Sequence, residues 1–519
     1  ILISLIVPPI FQKEPIELEG AEFAGTGVTE RVLCIDDNRE ALIWRLRLID
    51  RAENEIILST FDFRVDNSGK DMIAALNEAA ERGVNIKILV DGISGDMYLR
   101  CNRLIGALAA NTNVQIKLYN PINLMTPWKI NYRLHDKYLI VDGKQYLLGG
   151  RNTNDLFLGE YKDKEDRNID REVLVCSDGT NSSTEALTAY FAKIWDLPCN
   201  KEISGNRRNL QKAQETLRTH YTELQGSYAE AYLPVDLERE TLEAKSITLL
   251  SNPTSPENKA PVLWEQLSGI MKNGESILIE TPYIICNNGM YETLAGFCEG
   301  GRRVQIMTNA IESGANPFGC TDYLNEKKNI LATGSEVFEV SCGQSLHTKT
   351  ILVDDHISMI GSYNLDLRST YLDTELMLVI DCPELPLNVS RSYLQNSGYV
   401  TKIAAHITKK VADKLNSMFT TEREKYEKLW DDIKTFVKYA SIRDRKFYDR
   451  VKGSILYEKS DGTYVTLDEY LDGAKETNEN KVYYTTDKAS QSAYISMFAA
   501  QGIDVVVLSN MLDTQFAQT

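Results

Sequence analysis

The chain has 519 residues, 43% hydrophobic and 25% charged, ordinary values for a folded protein of two or three domains. Its formal net charge of −17 disfavours a surface built to hold nucleic acid. The nine cysteines all fall at or before Cys382 with no Cys-x-x-Cys pair, which points away from a disulfide framework and toward thiols in a reducing compartment.

In chain order, residues 1–10 (ILISLIVPPI) are apolar but too short to span a bilayer. They read as the end of a truncated membrane anchor with a polar stalk to residue 28, or as a buried N-terminal strand. Residues 38–52 carry Leu42, Leu46 and Ile49 at helical spacing, with Asn38 as the cap. Residues 55–60 (EIILST) read as a buried strand, 71–82 as a helix closed by Gly83, and 84–90 as a strand turned by Asp91 and Gly92. A helix over 104–110, strands over 114–118 and 172–176, and a helix over 184–195 follow. Residues 201–244 are charged and helix-prone, the composition of a connecting segment. The pattern then restarts with a helix over 262–272, a strand over 276–280 (SILIE), a helix over 290–299 and a strand over 304–308. Alternating strands and helices predict an α/β layer fold with helices on mixed sheets.

One pattern occurs twice. Residues 133–152 read RLHDKYLIVDGKQYLLGGRN, and residues 345–364 read SLHTKTILVDDHISMIGSYN. Both carry His-x-Lys, then Asp, then a small pair, then Asn. These are His135, Lys137, Asp142, Gly149, Gly150 and Asn152, and His347, Lys349, Asp354, Gly361, Ser362 and Asn364. Two of only five histidines occupy matching places. A lone His-x-Lys would be an ordinary half-exposed strand residue, but six matched positions exceed coincidence. In a strand, histidine and lysine point the same way, and the apolar run with Asp142-Gly143 makes a tight hairpin. The small pair leaves room for a ligand against the backbone. Lysine and asparagine suit phosphate oxygens, and histidine near neutrality can attack phosphorus or protonate a leaving oxygen. No second histidine, cysteine or carboxylate stands at metal-ligand spacing, and no metal or other cofactor is expected. From strand start to motif histidine is 80 residues in the first half (55 to 135) and 71 in the second (276 to 347), as an internal duplication with a site on its seam would give.

The two motifs resemble the paired HKD motifs of the phospholipase D superfamily. The neighbouring words NPINLMTPWKINYRLHDK, GGRNTND and IGSYNLDLRSTYLDTEL are similar to the C-type branch of bacterial cardiolipin synthases, over roughly residues 29–382. The resemblance implies a phosphohistidine intermediate on one histidine with the other as acid and then base. His135 is taken as nucleophile and His347 as acid-base by family habit, and the reverse stays open. Lys137, Lys349, Asn152 and Asn364 would hold the phosphate. It also implies that Glu172 (DRNIDRE) and Glu375 (LDTE) hold the two imidazoles. An ordinary strand-edge glutamate is the competing reading of each. Asp142 and Asp354 complete the motifs and are expected to brace the hairpins rather than touch substrate. The implied partners are membrane phospholipids, phosphatidylglycerol and also phosphatidylethanolamine, at a bacterial cell membrane, with no nucleic acid. A phospholipase D-type hydrolase or a nuclease of the same superfamily is the rival.

After Cys382 the composition changes: Lys+Arg and Asp+Glu balance at 19 each over 383–519, so the net charge lies upstream. Val400, Ile403, Ile407, Val411 and Leu415 mark an amphipathic helix. A small α/β module follows. The words PELPLNVSRSYLQ, WDDIKTFVKYASIRDRKFYDRV and DGTYVTLDEYL resemble part of the middle domain of the ninety-kilodalton heat-shock chaperones. There, residues matching Arg391 and Gln395 reach toward ATP on another domain. Nothing here resembles that domain, so no ATPase activity is expected, and a client-binding module is the alternative role. The join at IDCPELP reads as a chimaera. The expected organisation is therefore an anchor remnant and stalk (1–28), a first lobe (29–200), a helical connector (201–245), a second lobe (246–382) and a partial chaperone-like module (383–519). The fold class is a duplicated, two-lobed α/β domain plus a smaller α/β module.

Overall fold

The computed structural model describes residues 29–177, 180–204, 209–313, 317–341, 343–385, 398–443, 445–474, 481–509 and 513–516. The apolar segment 1–10, Arg391 and Gln395 lie outside the described residues. The chain divides into two compact units, Ile1–Tyr399 and Val400–Thr519.

The first unit holds two mixed sheets. The strands of one are β1 (Glu30–Ile35), β2 (Glu55–Thr60), β3 (Asn85–Asp91), β4 (Val114–Tyr119), β5 (Tyr138–Val141), β6 (Gln145–Gly149), β7 (Glu172–Cys176), β8 (Lys201–Glu202) and β9 (Leu242–Ala244). Those of the other are β10 (Ser246–Ser251), β11 (Ser276–Glu280), β12 (Arg303–Asn309), β13 (Glu336–Val340), β14 (Thr350–Val353), β15 (Ile357–Gly361) and β16 (Leu376–Asp381). The order β4-β3-β2-β5-β6-β7-β1 recurs as β13-β12-β11-β14-β15-β16-β10. In each, the first three strands run parallel and the remaining pairings are antiparallel. Duplication of the motif is thus duplication of a whole sheet. The segment expected to be a helical connector departs from that reading: it keeps a helix, Leu210–Ser227, but also supplies β8 and β9 to the two edges of the first sheet.

Strand alternation builds three cores. On β2, Ile56 and Leu58 join Leu42, Leu46 and Ile49 of α1 (Asn38–Arg51) and Met72 and Leu76 of α2 (Asn67–Glu81). Ile57 points the other way, into a core shared by Val173 and Val175 of one sheet and Leu376, Leu378 and Ile380 of the other. Ile277 and Ile279 of β11 pack outward with Leu263, Leu267 and Leu294 from the second half's helices. The layers run helix, sheet, sheet, helix, and burial on both faces explains the near-continuous apolar runs of the strands.

Two helix starts differ from the sequence reading. The cap of α1 is Asp37, whose carboxylate accepts from the Arg39 and Glu40 amides, while Asn38 is buried and donates to the Leu156 and Asn168 carbonyls at 3.3 and 3.2 Å. The helix α2 begins at Asn67 under an Asp66 cap, because its polar first turn carries no apolar periodicity. In the second unit, helices Gly398–Thr421 and Arg423–Arg443 accompany a four-stranded sheet, and Tyr426, Trp430, Val451 and Leu456 form its core. Of the expected stripe, Leu415 packs against this core while Val411 is exposed, its place taken by the buried Ala412.

Candidate active site

The strands β5 and β14 begin one residue after the motif lysines, so each His-x-Lys sits on the segment leading into its strand rather than within it. That segment pairs with the opposite half. Leu134 bridges Thr374, and Leu346 bridges Ile169. The His135 amide donates to Thr374 Oγ1 at 3.0 Å, and the His347 amide donates to the Ile169 carbonyl at 2.8 Å. Each histidine therefore reaches the residues that precede the last core strand of the other half.

The consequence is an exchange of carboxylates. His135 Nδ1 lies 2.8 Å from Glu375 Oε1, and His347 Nδ1 lies 2.6 Å from Asp170 Oδ2. Glu375 is where the sequence reading put it. Glu172 is not: its carboxylate is buried in a two-pronged pair with Arg45, at 2.5 and 2.6 Å, and touches neither histidine. The register explains the misassignment. Gly149 pairs with Glu172, and Gly361 pairs with Met377, so Glu172 corresponds to Met377 and Asp170 to Glu375. Aligning the apolar strands Glu172–Cys176 and Leu376–Asp381, rather than matching glutamate to glutamate, would have found Asp170.

The small pairs serve these carboxylates rather than a ligand's approach to the backbone. A Cβ on Gly149 would meet the Arg171 carbonyl at 2.4 Å, and one on Gly361 the Leu376 carbonyl at 2.0 Å, so both glycines admit the neighbouring strand. A Cβ on Gly150 would meet Asp170 Oδ1 at 2.3 Å. At the matching place Ser362 donates to Glu375 Oε2 at 2.5 Å, and Ser369 donates to Glu375 Oε1 at 2.5 Å. Asp142 and Asp354 lie on the turns, with φ of 52° and 55°, and accept backbone amides at the starts of β2 and β11. They brace the hairpins through these amides.

Both lysines are buried beside their histidines. Lys137 Nζ donates to the His135 carbonyl at 2.5 Å; Lys349 Nζ donates to the His347 carbonyl and lies 2.9 and 3.2 Å from its Nδ1 and Nε2. Asn152 Oδ1 accepts from the Asp62 amide at 3.3 Å, while Asn364 Oδ1 is buried with no hydrogen-bond partner among the described residues. Phe61 meets His135 edge-on at 5.2 Å and Phe157 meets His347 edge-on at 4.8 Å, limiting ring rotation. Neither phenylalanine was singled out from the sequence, because each lies outside the motif.

Burial and crowding of positive charge set the protonation states. Desolvation, then the Lys137 ammonium, hold the His135 imidazole well below its usual value; desolvation and Lys349 bring His347 down to about 3. Burial lowers Lys137 to about 8 and Lys349 to about 7, against the pull of Glu375 and Asp170. Burial raises Glu375 to about 8, while Asp170, although desolvated, is held below its ordinary value by His347 and Lys349. The site is thus built around charges that an anion would stabilise. Phe61, the ring that meets His135, borders a cavity of about 470 Å³, lined also by Ile93, Met97, Tyr98 and Ile130 and by the polar Asp62, Ser94, Asn131, Arg133 and Arg368.

The sequence matches the family described as "Cardiolipin synthase, PLD-like domain" over residues 46–195 and 267–395, more than half of the chain and spanning both motifs. The chain belongs to this family. It is an enzyme of the phospholipase D superfamily, in the class of phosphatidyltransferases. Cardiolipin synthase C of Escherichia coli is 24% identical over 400 residues, covering 70% of this chain and 84% of that protein. The crystal structure of phosphatidylserine synthase from Haemophilus influenzae shares the fold, with a TM-score of 0.51 at 17% identity, covering 76% of this chain and 97% of that one. Residues 362–519 match the family described as "Hsp90 protein", so 362–395 fall within both matches. The chaperone protein HtpG of Porphyromonas gingivalis is 42% identical over 206 residues, covering 38% of this chain. The chain spans only 28% of that chaperone's length.

Proposed function

We propose that the chain transfers phosphatidyl groups between phospholipids, making a cardiolipin-like product through a phosphatidyl-histidine on His135. The observation that carries this reading is the pair of imidazoles, each backed at Nδ1 by a carboxylate of the opposite half and flanked by a buried lysine. In the first step His135 Nε2 attacks phosphorus, the bond to the headgroup oxygen breaks, and His347 supplies a proton to that oxygen. His347 is neutral in the free chain, and the negative charge of the bound phosphate makes it easier to protonate. In the second step His347 removes a proton from the hydroxyl of a phosphatidylglycerol, whose oxygen attacks phosphorus as the phosphorus–nitrogen bond breaks. Lys137, Lys349, Asn152 and Asn364 stabilise the charge on the phosphoryl oxygens. One asymmetry favours His135 as the nucleophile: the Lys349 ammonium lies against both ring nitrogens of His347, whereas no hydrogen bond meets Nε2 of His135 among the described residues.

Among the described residues no helix is long and apolar enough to cross a membrane, so membrane association rests on the lipid reading. Mass spectrometry of lipids after incubation with vesicles of phosphatidylglycerol and phosphatidylethanolamine tests the function. Cardiolipin from the parent and none from His135→Ala is the expected result. Phosphatidic acid alone would make the chain a hydrolase, and degradation of single-stranded DNA in EDTA would revive the nuclease reading.

The charge states carry a further prediction. As pH rises, the Lys349 and Lys137 ammoniums are lost near 7 and 8, and Glu375 becomes anionic near 8. All three changes oppose anion binding. Glycerophosphoglycerol, a soluble phosphodiester of constant charge, should bind most tightly near pH 6 and weaken above pH 7 by up to about tenfold per pH unit for each proton that binding must restore. Calorimetric titration checks this, and an affinity flat to pH 9 would contradict it.

The match of residues 362–519 to the chaperone family favours a second reading for the tail: a separable chaperone-like segment, joined by fusion or assembly, that binds protein clients without hydrolysing ATP. Sequencing across codons 375–395 in the source tests the join. Aggregation-suppression by the full chain, retained in His135→Ala/His347→Ala, tests client binding.

A further inference from the structure

The loop 121–131 connects β4 to the segment that carries His135. It is a closed loop held by its own polar groups. Asn120, in the left-handed region with φ of 45°, donates from its side-chain amide to the Lys129 and Tyr132 carbonyls at 2.7 and 2.9 Å. The Asn123 side chain accepts from the Met125 amide at 2.9 Å, and the Ile122 amide donates to Asp96 at 3.3 Å. At the loop's base, a Cβ on Gly92 would meet Pro121 at 2.4 Å, so the backbone seats there only because that residue is glycine.

This ordered scaffold presents large apolar side chains to solvent. Leu124 is 83% exposed, Met125 84%, Trp128 49%, and Met97 on the facing turn 66%. A folded chain rarely leaves such a cluster uncovered without a partner. The loop's sequence from Asn120, NPINLMTPWKIN, contains one lysine and no acidic residue, in a chain of net charge −17. The cluster is also continuous with the substrate side of the site. Met97 and Ile130 line the cavity whose wall includes Phe61, the ring that meets His135, and Arg368.

We propose that Leu124, Met125 and Trp128, with Met97, seat the chain on an anionic lipid bilayer, and that the adjoining cavity receives the hydrocarbon of the lipid whose phosphate reaches His135. Tryptophan and lysine at the rim match the headgroup level, and leucine and methionine at the tip match the acyl region. The cavity half of the inference rests on the phospholipid reading; the docking half does not.

The test uses the full chain and its Leu124→Asp/Met125→Asp variant, with Leu331→Asp as a control at an apolar side chain, 55% exposed, in the second half. Co-sedimentation is measured with vesicles of phosphatidylglycerol and phosphatidylcholine. The double variant should lose about tenfold or more of its vesicle affinity while the control keeps it. Turnover of long-chain vesicle lipid, divided by turnover of monomeric dihexanoyl phosphatidylglycerol, should fall by the same factor. Both side chains are more than four-fifths exposed, so the thermal midpoint should not move. A double variant that sediments like the parent overturns the proposal. So does one that keeps vesicle binding but changes oligomeric state, because the surface then faces a second copy. If the parent turns over neither lipid, the phospholipid reading fails, and the sedimentation result still decides the docking.

Discussion

An Asp170→Asn chain should lose about 10²- to 10⁴-fold in turnover with its thermal midpoint little changed, whereas Glu172→Gln should unfold far more easily. The two residues are neighbours in sequence but face opposite tasks. Asp170 meets His347 Nδ1 at 2.6 Å, which fixes the ring's orientation and supports its charge when it takes a proton. An amide there removes that charge support and can turn its NH2 toward the ring, reversing the tautomer. Glu172 instead neutralises Arg45, with both side chains buried. Removing one partner of a buried pair strands the other charge, at about 3–5 kcal/mol. Steady-state kinetics beside thermal melts separate the two. If Asp170→Asn kept full turnover, or if Glu172→Gln lost turnover while melting like the parent, the assignment of Asp170 would be wrong.

A His135→Ala chain should make no product above background, a loss of about 10⁴-fold or more, and His347→Ala should fall nearly as far. The double variant should be no worse than the worse single one, because the two residues act on the same bonds in sequence. The lysines and asparagines proposed to hold the phosphate remain in all three, so affinity for glycerophosphoglycerol should survive. Turnover assays and calorimetric titration of each variant check both statements. Turnover within about tenfold of the parent in either single variant would remove that histidine from the chemistry.

Much of this was legible in the amino-acid sequence because the decisive signal is a repeat. Two copies of one motif imply two copies of its surroundings, and the matching strand orders of the two sheets follow. Strands such as Glu55–Thr60 and Ser276–Glu280 carried their own apolar runs and turn signals. What could not be read was the partner across the seam. Which carboxylate meets which imidazole depends on the Leu134–Thr374 and Ile169–Leu346 bridges, contacts between residues far apart in the chain. Glu172 was chosen for its residue type, and the register chose Asp170. The roles of Gly150 and Ser362 stayed hidden for the same reason, since each is defined by the carboxylate it faces. The edge strands β8 and β9 were too short to show any periodicity, and the exposed cluster at Leu124 and Met125 has no covering element among the described residues that would mark it.

The most direct test of the central claim is to trap the covalent intermediate. Parent and His347→Ala chains are quenched within a turnover on phosphatidylglycerol vesicles, digested at alkaline pH where phosphohistidine survives, and analysed by peptide mass spectrometry. A phosphatidyl adduct is expected on the peptide bearing His135 in the parent, scarcer in His347→Ala, whose adduct-forming step lacks its acid, and missing from His135→Ala. An adduct on His347 instead, or steady product formation with no histidine adduct, would contradict it.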